Sequence, residues 1–266
     1  MPHTVLCKYM KNNDINMQGK VISIRWYLEN LLSKFNSANP KNKKLFIHIP
    51  KNAGMTIRRS DVLKNKIVVA RPNIFRTSRY SQELLTTMKS TGDHHGFEHA
   101  RWKDIHPRIT NSHISFAILR NPWDRVVSRF FFAKLAIEVQ QKSPKTYADT
   151  SSFEAFLEER HKWGGKDFMW HRAIRGWYPA FDHVTDEKGT VRCECLRFEN
   201  LDHDICKYFN IPMMTKPRNI TGLNKGSYMD VYSPKTIQIV ADWYQKDIAT
   251  WGFDFDTCAK KNTIYS

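Results

Sequence analysis

The stretch Phe116-Ala-Ile-Leu-Arg-Asn-Pro-Trp-Asp-Arg-Val-Val-Ser-Arg-Phe130 places a strand directly against the start of a helix. Ile114–Leu119 (ISFAIL) is a short, nearly continuous apolar run of the length of a buried strand. Pro122 then enters at the first helical turn, where its missing N–H would be unpaired in any case. Arg120 falls at the C-terminal end of the strand, the side of an open α/β sheet on which ligands bind. Ser128 follows eight positions on, about two helical turns, on a face that can look back toward the strand end. A guanidinium fork with a nearby hydroxyl suits a phosphate monoester. The plainer alternative is a surface ion pair between Asp124 and Arg125 beside an exposed Ser128.

Upstream, Phe46-Ile-His-Ile-Pro-Lys-Asn-Ala-Gly-Met-Thr-Ile-Arg58 repeats the arrangement. Leu45–Ile49 (LFIHI) predicts a buried strand ended by Pro50, and a turn of small residues runs on into a helix. Such a turn leaves backbone N–H groups aimed at an anion, helped by the positive end of the helix dipole. Lys51 adds a point charge and Thr56 a hydroxyl donor. The Walker A pattern is absent, because the lysine precedes the glycine. An ordinary strand-to-helix connection is the competing reading of this segment.

Further strands are expected at Lys66–Ala70 and Thr190–Phe198. Helices are expected at Val21–Phe35, Ser81–Lys89, Phe153–Arg160, Lys166–Ile174 and Asp202–Phe209. A last helix starts at Ser233-Pro234 and carries Ile237, Val240, Ala241, Tyr244 and Ile248 on one face. Met213–Tyr228 reads as a basic loop. Strands alternating with helices predict an α/β fold with a mainly parallel sheet. Residues 1–40 read as an extension bearing the amphipathic helix Val21–Phe35, and residues 41–260 as a single domain.

The chain carries 42 Lys and Arg against 26 Asp and Glu, a net charge of +16 that favours anionic partners without choosing among nucleotides, acidic glycans, nucleic acid and membrane surface. The five cysteines form neither a CxxC pair nor a zinc-spaced set, which suits a reducing compartment. Cys193 and Cys195 fall on one face of a strand, where ordinary burial explains them. The first 20 residues lack the apolar core of a signal peptide, and no run of 18 apolar residues occurs. A cytoplasmic protein without a transmembrane segment is the expectation.

Two motifs carry a resemblance. PKNAGMT (Pro50–Thr56) is similar to the 5′-phosphosulfate loop of the sulfotransferases that use 3′-phosphoadenosine 5′-phosphosulfate (PAPS), in particular the carbohydrate and related bacterial branch with its common form PKTGGTS. RNPWDRVVSRF (Arg120–Phe130) closely resembles that branch's 3′-phosphate motif, RNPxDRxxSxY. Looser similarity continues through Arg197–Leu201 (RFENL), Leu223–Ser227, Val231–Pro234 and Tyr244–Asp247, so that the resemblance covers roughly residues 44–256. It implies the sulfotransferase fold, a P-loop-like parallel sheet flanked by helices, with PAPS as co-substrate and no metal. It also implies that Lys51, Asn52, Ala53, Gly54, Met55 and Thr56 form the loop around the 5′-phosphosulfate, and that Arg120 and Ser128 hold the 3′-phosphate. Lys225 and Ser227 would cover the nucleotide. Asn52 and Met55 stand where the family has threonines, which removes a side-chain donor that backbone N–H groups would have to replace.

Sulfuryl transfer needs in-line attack, a base for the acceptor proton and charge stabilisation on the leaving phosphate, so positioning and electrostatics dominate. Lys51 is the natural group to neutralise the bridging oxygen. Histidine is the default base near neutral pH, and Asp93–Ala100 (DHHGFEHA) holds three. The family places a His or a His-Ala pair ahead of the 3′-phosphate strand, so His99 is the first choice of base. His95 is the second, with His94 also available and Glu98 able to orient or replace the imidazole. A metal cluster and a surface His-rich turn are the other readings of these histidines. His48, inside the predicted strand, reads as a core residue or one standing behind the site.

Trp163, Trp170, Trp177 and Tyr178 fall where acceptor preference would reside, although most tryptophans in such a chain are core. The expected acceptor is a hydroxyl or amine of a carbohydrate or small molecule, with nucleic acid not expected as a partner. Two rivals remain: a phosphotransferase, which would want Mg²⁺ and a Walker A lysine, and a non-catalytic basic module binding glycan or nucleic acid. No RNP, C₂H₂ or helix-turn-helix signature supports the second.

Overall fold

The computed structural model describes residues 43–90, 96–139, 148–167, 176–212 and 227–256. All of them lie in the compact unit Pro40–Ser266. Among these described residues four strands form one sheet: β1 (Lys44–Ile47), β2 (Ile67–Val69), β3 (Ser115–Leu119) and β4 (Glu194–Arg197). Their order is β2-β1-β3-β4 and every pairing is parallel. The helices are α1 (Gly54–Arg58), α2 (Ser78–Ser90), α3 (Pro107–Thr110), α4 (Pro122–Glu138), α5 (Phe153–Trp163), α6 (Ala180–Val184), α7 (Leu201–Phe209), α8 (Pro234–Trp243) and α9 (Gln245–Trp251).

The central strands are apolar on both sides, as a parallel sheet covered by helices on both faces requires. Leu45, Ile47, Ala117, Leu119 and Cys195 pack into one core with Trp123, Val126 and Val127 of α4. The alternate residues Phe46, Phe116, Ile118 and Leu196 pack into a second core with Ile57 of α1 and Ile205 and Phe209 of α7. Side chains alternate along a strand, so these two sets mark its two faces. The α/β fold with a parallel sheet is the one expected. Cys193 joins Cys195 in the first core, and burial pushes the Cys195 thiol up to about 12.

Several boundaries differ from expectation. The first strand stops at Ile47, because Ile49 N–H bonds back to the Ile47 carbonyl and closes a tight turn, so His48 and Ile49 lie beyond the ladder. In the fourth, only Glu194–Arg197 pairs with β3, while Val191 bridges antiparallel to Thr185. The last helix is two helices, since Tyr244 leaves helical geometry at ψ 24° and ends α8 while opening α9. That break swings Asp247 onto the backbone N–H groups of Ala180 and Phe181, both at 2.8 Å, at the start of α6. The expected helix Val21–Phe35, most of Lys166–Ile174 and most of the loop Met213–Tyr228 lie outside the described residues. No helix among the described residues is long and apolar enough to cross a membrane.

Candidate functional site

β1 and β3 are hydrogen-bonded neighbours, with Phe46 opposite Phe116, so the segments that follow them emerge side by side at the C-terminal edge of the sheet. After β1 the backbone turns through left-handed conformations at Lys51 (φ 67°) and Ala53 (φ 56°). Non-glycine residues pay on the order of 1–3 kcal/mol each for such geometry, a cost that proteins tolerate mainly at functional loops. Backbone of this kind forms concave anion-binding nests. The helix that follows, α1, has only five residues, so the loop itself has to supply most of the donors that the sequence assigned partly to a helix dipole.

The Asn52 side chain turns inward. It is fully buried, and its Nδ2 donates to the Ile118 carbonyl at 2.8 Å, pinning the loop to the central strand. Its side chain thus anchors the loop, in keeping with the loss of a side-chain donor expected where the family has threonine. Gly54 opens α1 beneath the His48 ring; a Cβ there would lie 1.6 Å from His48 Nε2. Met55 is half-buried and Thr56 buried on α1.

The Lys51 ammonium lies 4.3 Å from the centre of the Phe132 ring and makes no ion pair with a described carboxylate. Burial pushes it down to about 8, aided by the nearby cations Arg120 and Arg129. Arg120 spends much of its fork internally. Its Nε and Nη2 donate to the Asp124 carboxylate at 2.7 and 2.8 Å, and Nη1 donates to the Lys51 carbonyl at 2.7 Å. The guanidinium stacks over Phe198 at 4.2 Å. Ser128 is half-buried on α4, four residues beyond Asp124 and so on the same helix face.

The surface pair weighed between Asp124 and Arg125 is absent: Asp124 serves Arg120, while Arg125 is 1% exposed. Arg125 donates to the carbonyls of Pro50 at 3.2 Å and Tyr178 at 3.0 Å, fixing the loop's entry. The RFEN segment is stitched to the same place. Glu199 accepts from Asn121 N–H at 2.7 Å, and Asn121 caps α4 by accepting from Trp123 N–H at 2.9 Å.

His99 ends a 3-10 turn, Phe97–His99, that starts from Gly96 at φ 69°. Its Nδ1 lies 2.9 Å from the His48 carbonyl. A carbonyl only accepts, so Nδ1 carries the proton and Nε2 the lone pair, the tautomer a general base needs. Glu98 is 8% exposed and ion-paired with Arg58 of α1 at 3.0 Å, which ties the turn to the loop's helix. His94 and His95 lie outside the described residues, as do Lys225 and Trp170. Ser227 is exposed and caps the turn Tyr228–Val231 by accepting from Met229 N–H at 3.2 Å.

Trp177 is core: it is 2% exposed and lies under the Arg129 guanidinium at 4.1 Å. Trp163 is half-buried and donates to Glu159. Sequence reasoning missed the buried cations Arg125 and Arg129 behind the loop. Arg129 is fully buried, donates to the Tyr244 hydroxyl at 3.1 Å and is pushed down to about 10 by burial. The available signal was two arginines four apart among apolar residues in α4, a spacing that puts both on one face.

Residues 37–254 match the sulfotransferase family, a span that contains both loop motifs and His99. No curated protein and no solved structure matches the chain. The chain belongs to the sulfotransferase family.

Proposed function

We propose that the protein transfers the sulfuryl group of PAPS to a hydroxyl or amine of a carbohydrate or small-molecule acceptor. The observation that carries the reading is the Lys51 ammonium, held without a described carboxylate partner in a loop that Arg120 clamps by its backbone. Lys51 is half-buried, and a cation partly withdrawn from water gains from an anion as its partner. The loop fits that anion: left-handed positions at residues 51 and 53 expose N–H donors, and Arg120, with two Nη hydrogens still available, lies next to it.

In this reading the loop residues Lys51, Ala53, Gly54, Met55 and Thr56 hold the 5′-phosphosulfate, and Arg120 with Ser128 holds the 3′-phosphate. His99 Nε2 takes the acceptor proton as the acceptor oxygen or nitrogen bonds to sulfur. The bond from sulfur to the bridging oxygen breaks, its electron pair stays on the 5′-phosphate, and Lys51 offsets the charge that grows there. Adenosine 3′,5′-bisphosphate leaves as the product. His95 is the alternative base.

The test is transfer of labelled sulfate from PAPS to a panel of sugars, phenols, alcohols and amines without added metal, alongside calorimetric binding of adenosine 3′,5′-bisphosphate. Transfer and micromolar binding are expected. Absence of any affinity for the bisphosphate overturns the reading.

A further inference from the structure

His48 touches both halves of the reaction centre. It follows β1 directly and is 4% exposed, and its ring stacks on Phe46 with centroids 5.6 Å apart. Its carbonyl receives the Nδ1 proton of His99, and the two imidazoles pack with centroids 4.3 Å apart. On another side the imidazole occupies the volume that any side chain at residue 54 would need, with Nε2 and Cδ2 only 1.6 and 1.8 Å from an ideal Cβ. One residue thus contacts the histidine that would accept a proton and the first residue of the helix that closes the anion loop.

We propose that His48 is a positioning residue, whose ring and carbonyl together set the angle of His99 relative to the Lys51–Thr56 loop. The proposal rests on His99 being the base. An ordinary core histidine would need neither contact: its volume could be supplied by any apolar side chain, and its carbonyl by any residue. Here the histidine ring is flat enough to lie between Gly54 and His99 while remaining in van der Waals reach of both. Its Nδ1 has no hydrogen-bond partner among the described residues, so that nitrogen is not what retains the imidazole.

Charge sharpens the role. The charged and titratable groups acting on His48 are His99 from the 3-10 turn, Arg58 from α1 and His183 from α6, with Arg58 itself paired to Glu98. Burial, then His99, Arg58 and His183, hold the His48 imidazole well below the ordinary histidine range. His48 therefore stays neutral when His99 becomes charged, and the acceptor proton stops at His99. Removing the ring would admit water beside His99, which favours its charged form, and would free its ring to rotate.

The experiment uses His48→Ala and His48→Asn, read by kcat, KM for PAPS, the pH profile of kcat and affinity for adenosine 3′,5′-bisphosphate. Angstrom-scale misplacement can cost about a hundredfold in rate. Both variants are expected to lose about tenfold to a hundredfold in kcat, with bisphosphate affinity within about threefold and the acid limb of the profile moved to higher pH. Gly54→Ala is expected to lose bisphosphate binding, and Gly54→Ala with His48→Gly to regain binding without regaining kcat.

An unchanged kcat and acid limb in either folded variant overturns the proposal, as does loss of binding in proportion to kcat. If His48→Ala does not fold, His48→Asn decides. His99→Ala separates the two readings. Turnover surviving there sinks His99 as base and this proposal with it. A dead His99→Ala beside unaffected His48 variants sinks positioning alone.

Discussion

The guanidinium of Arg120 donates to the main-chain carbonyl of Lys51 at 2.7 Å, so the residue expected to bind one phosphate also clamps the loop expected to bind the other. The same fork grips Asp124 through Nε and Nη2. A lysine at this position keeps the charge but cannot span both partners. Arg120→Lys is therefore expected to weaken adenosine 3′,5′-bisphosphate binding by roughly tenfold to a hundredfold, the value of one or two charged hydrogen bonds. Calorimetric titration of the variant checks it, and wild-type affinity would refute it.

Lys51 gives a pH dependence with a definite sign. Burial and the nearby Arg120 and Arg129 hold it down to about 8, so it is charged below that pH and loses its charge above it. Bisphosphate affinity of the free protein is expected to fall as pH rises from 7 to 9. An anion beside the ammonium favours the charged form, so binding near pH 8 should take up protons. Titrations in buffers of different ionisation enthalpy measure that uptake, and Lys51→Ala should abolish it.

Asn52 is expected to matter first for the loop's anchorage. Replacing it by Asp removes the donor to the Ile118 carbonyl and puts a carboxylate in a fully buried site. Loss of a buried hydrogen bond costs about 1–3 kcal/mol, and a buried charge adds to it. Asn52→Asp should lower Tm by several degrees and weaken bisphosphate binding together. Differential scanning fluorimetry with and without the bisphosphate reads both effects.

Asp247 supplies a stability effect away from the chemistry. It accepts from Ala180 and Phe181 N–H, and burial pushes it up to about 6. The folded state thus holds a proton that the unfolded chain releases near pH 4, so this group's contribution is complete below about pH 4 and is lost as pH rises through about 6. Asp247→Asn should flatten that part of the Tm–pH curve. It should also lower Tm throughout, because an amide offers one oxygen to two donors.

The sequence announced the sheet because β3 and β1 are continuous apolar runs, and announced Arg120 because it closes the first of them. It said less about Asn52, since a polar residue in a loop reads the same whether it faces a ligand or reaches under the sheet to Ile118. The Asp124–Arg125 pair, the plainer alternative, fails because neighbours in sequence compete with neighbours one helical turn away, and Arg120 offers the better fork. Arg125 and Arg129 were invisible as buried groups because charge alone predicts solvent. Their partners, the Pro50 carbonyl and the Tyr244 hydroxyl, come from distant chain. Likewise the break at Tyr244 follows from tertiary contacts that no helical period records.

Direct pairing of β1 with β3 means that the segments carrying Lys51 and Arg120 leave the sheet from strands one rung of a ladder apart, about 4.8 Å. The chain between β2 and β3 supplies neither the Lys51–Thr56 loop nor Arg120. It can gain or lose length while the loop carrying Lys51 keeps its place beside Arg120. Its ties to the site run from His99 to the His48 carbonyl and from Glu98 to Arg58.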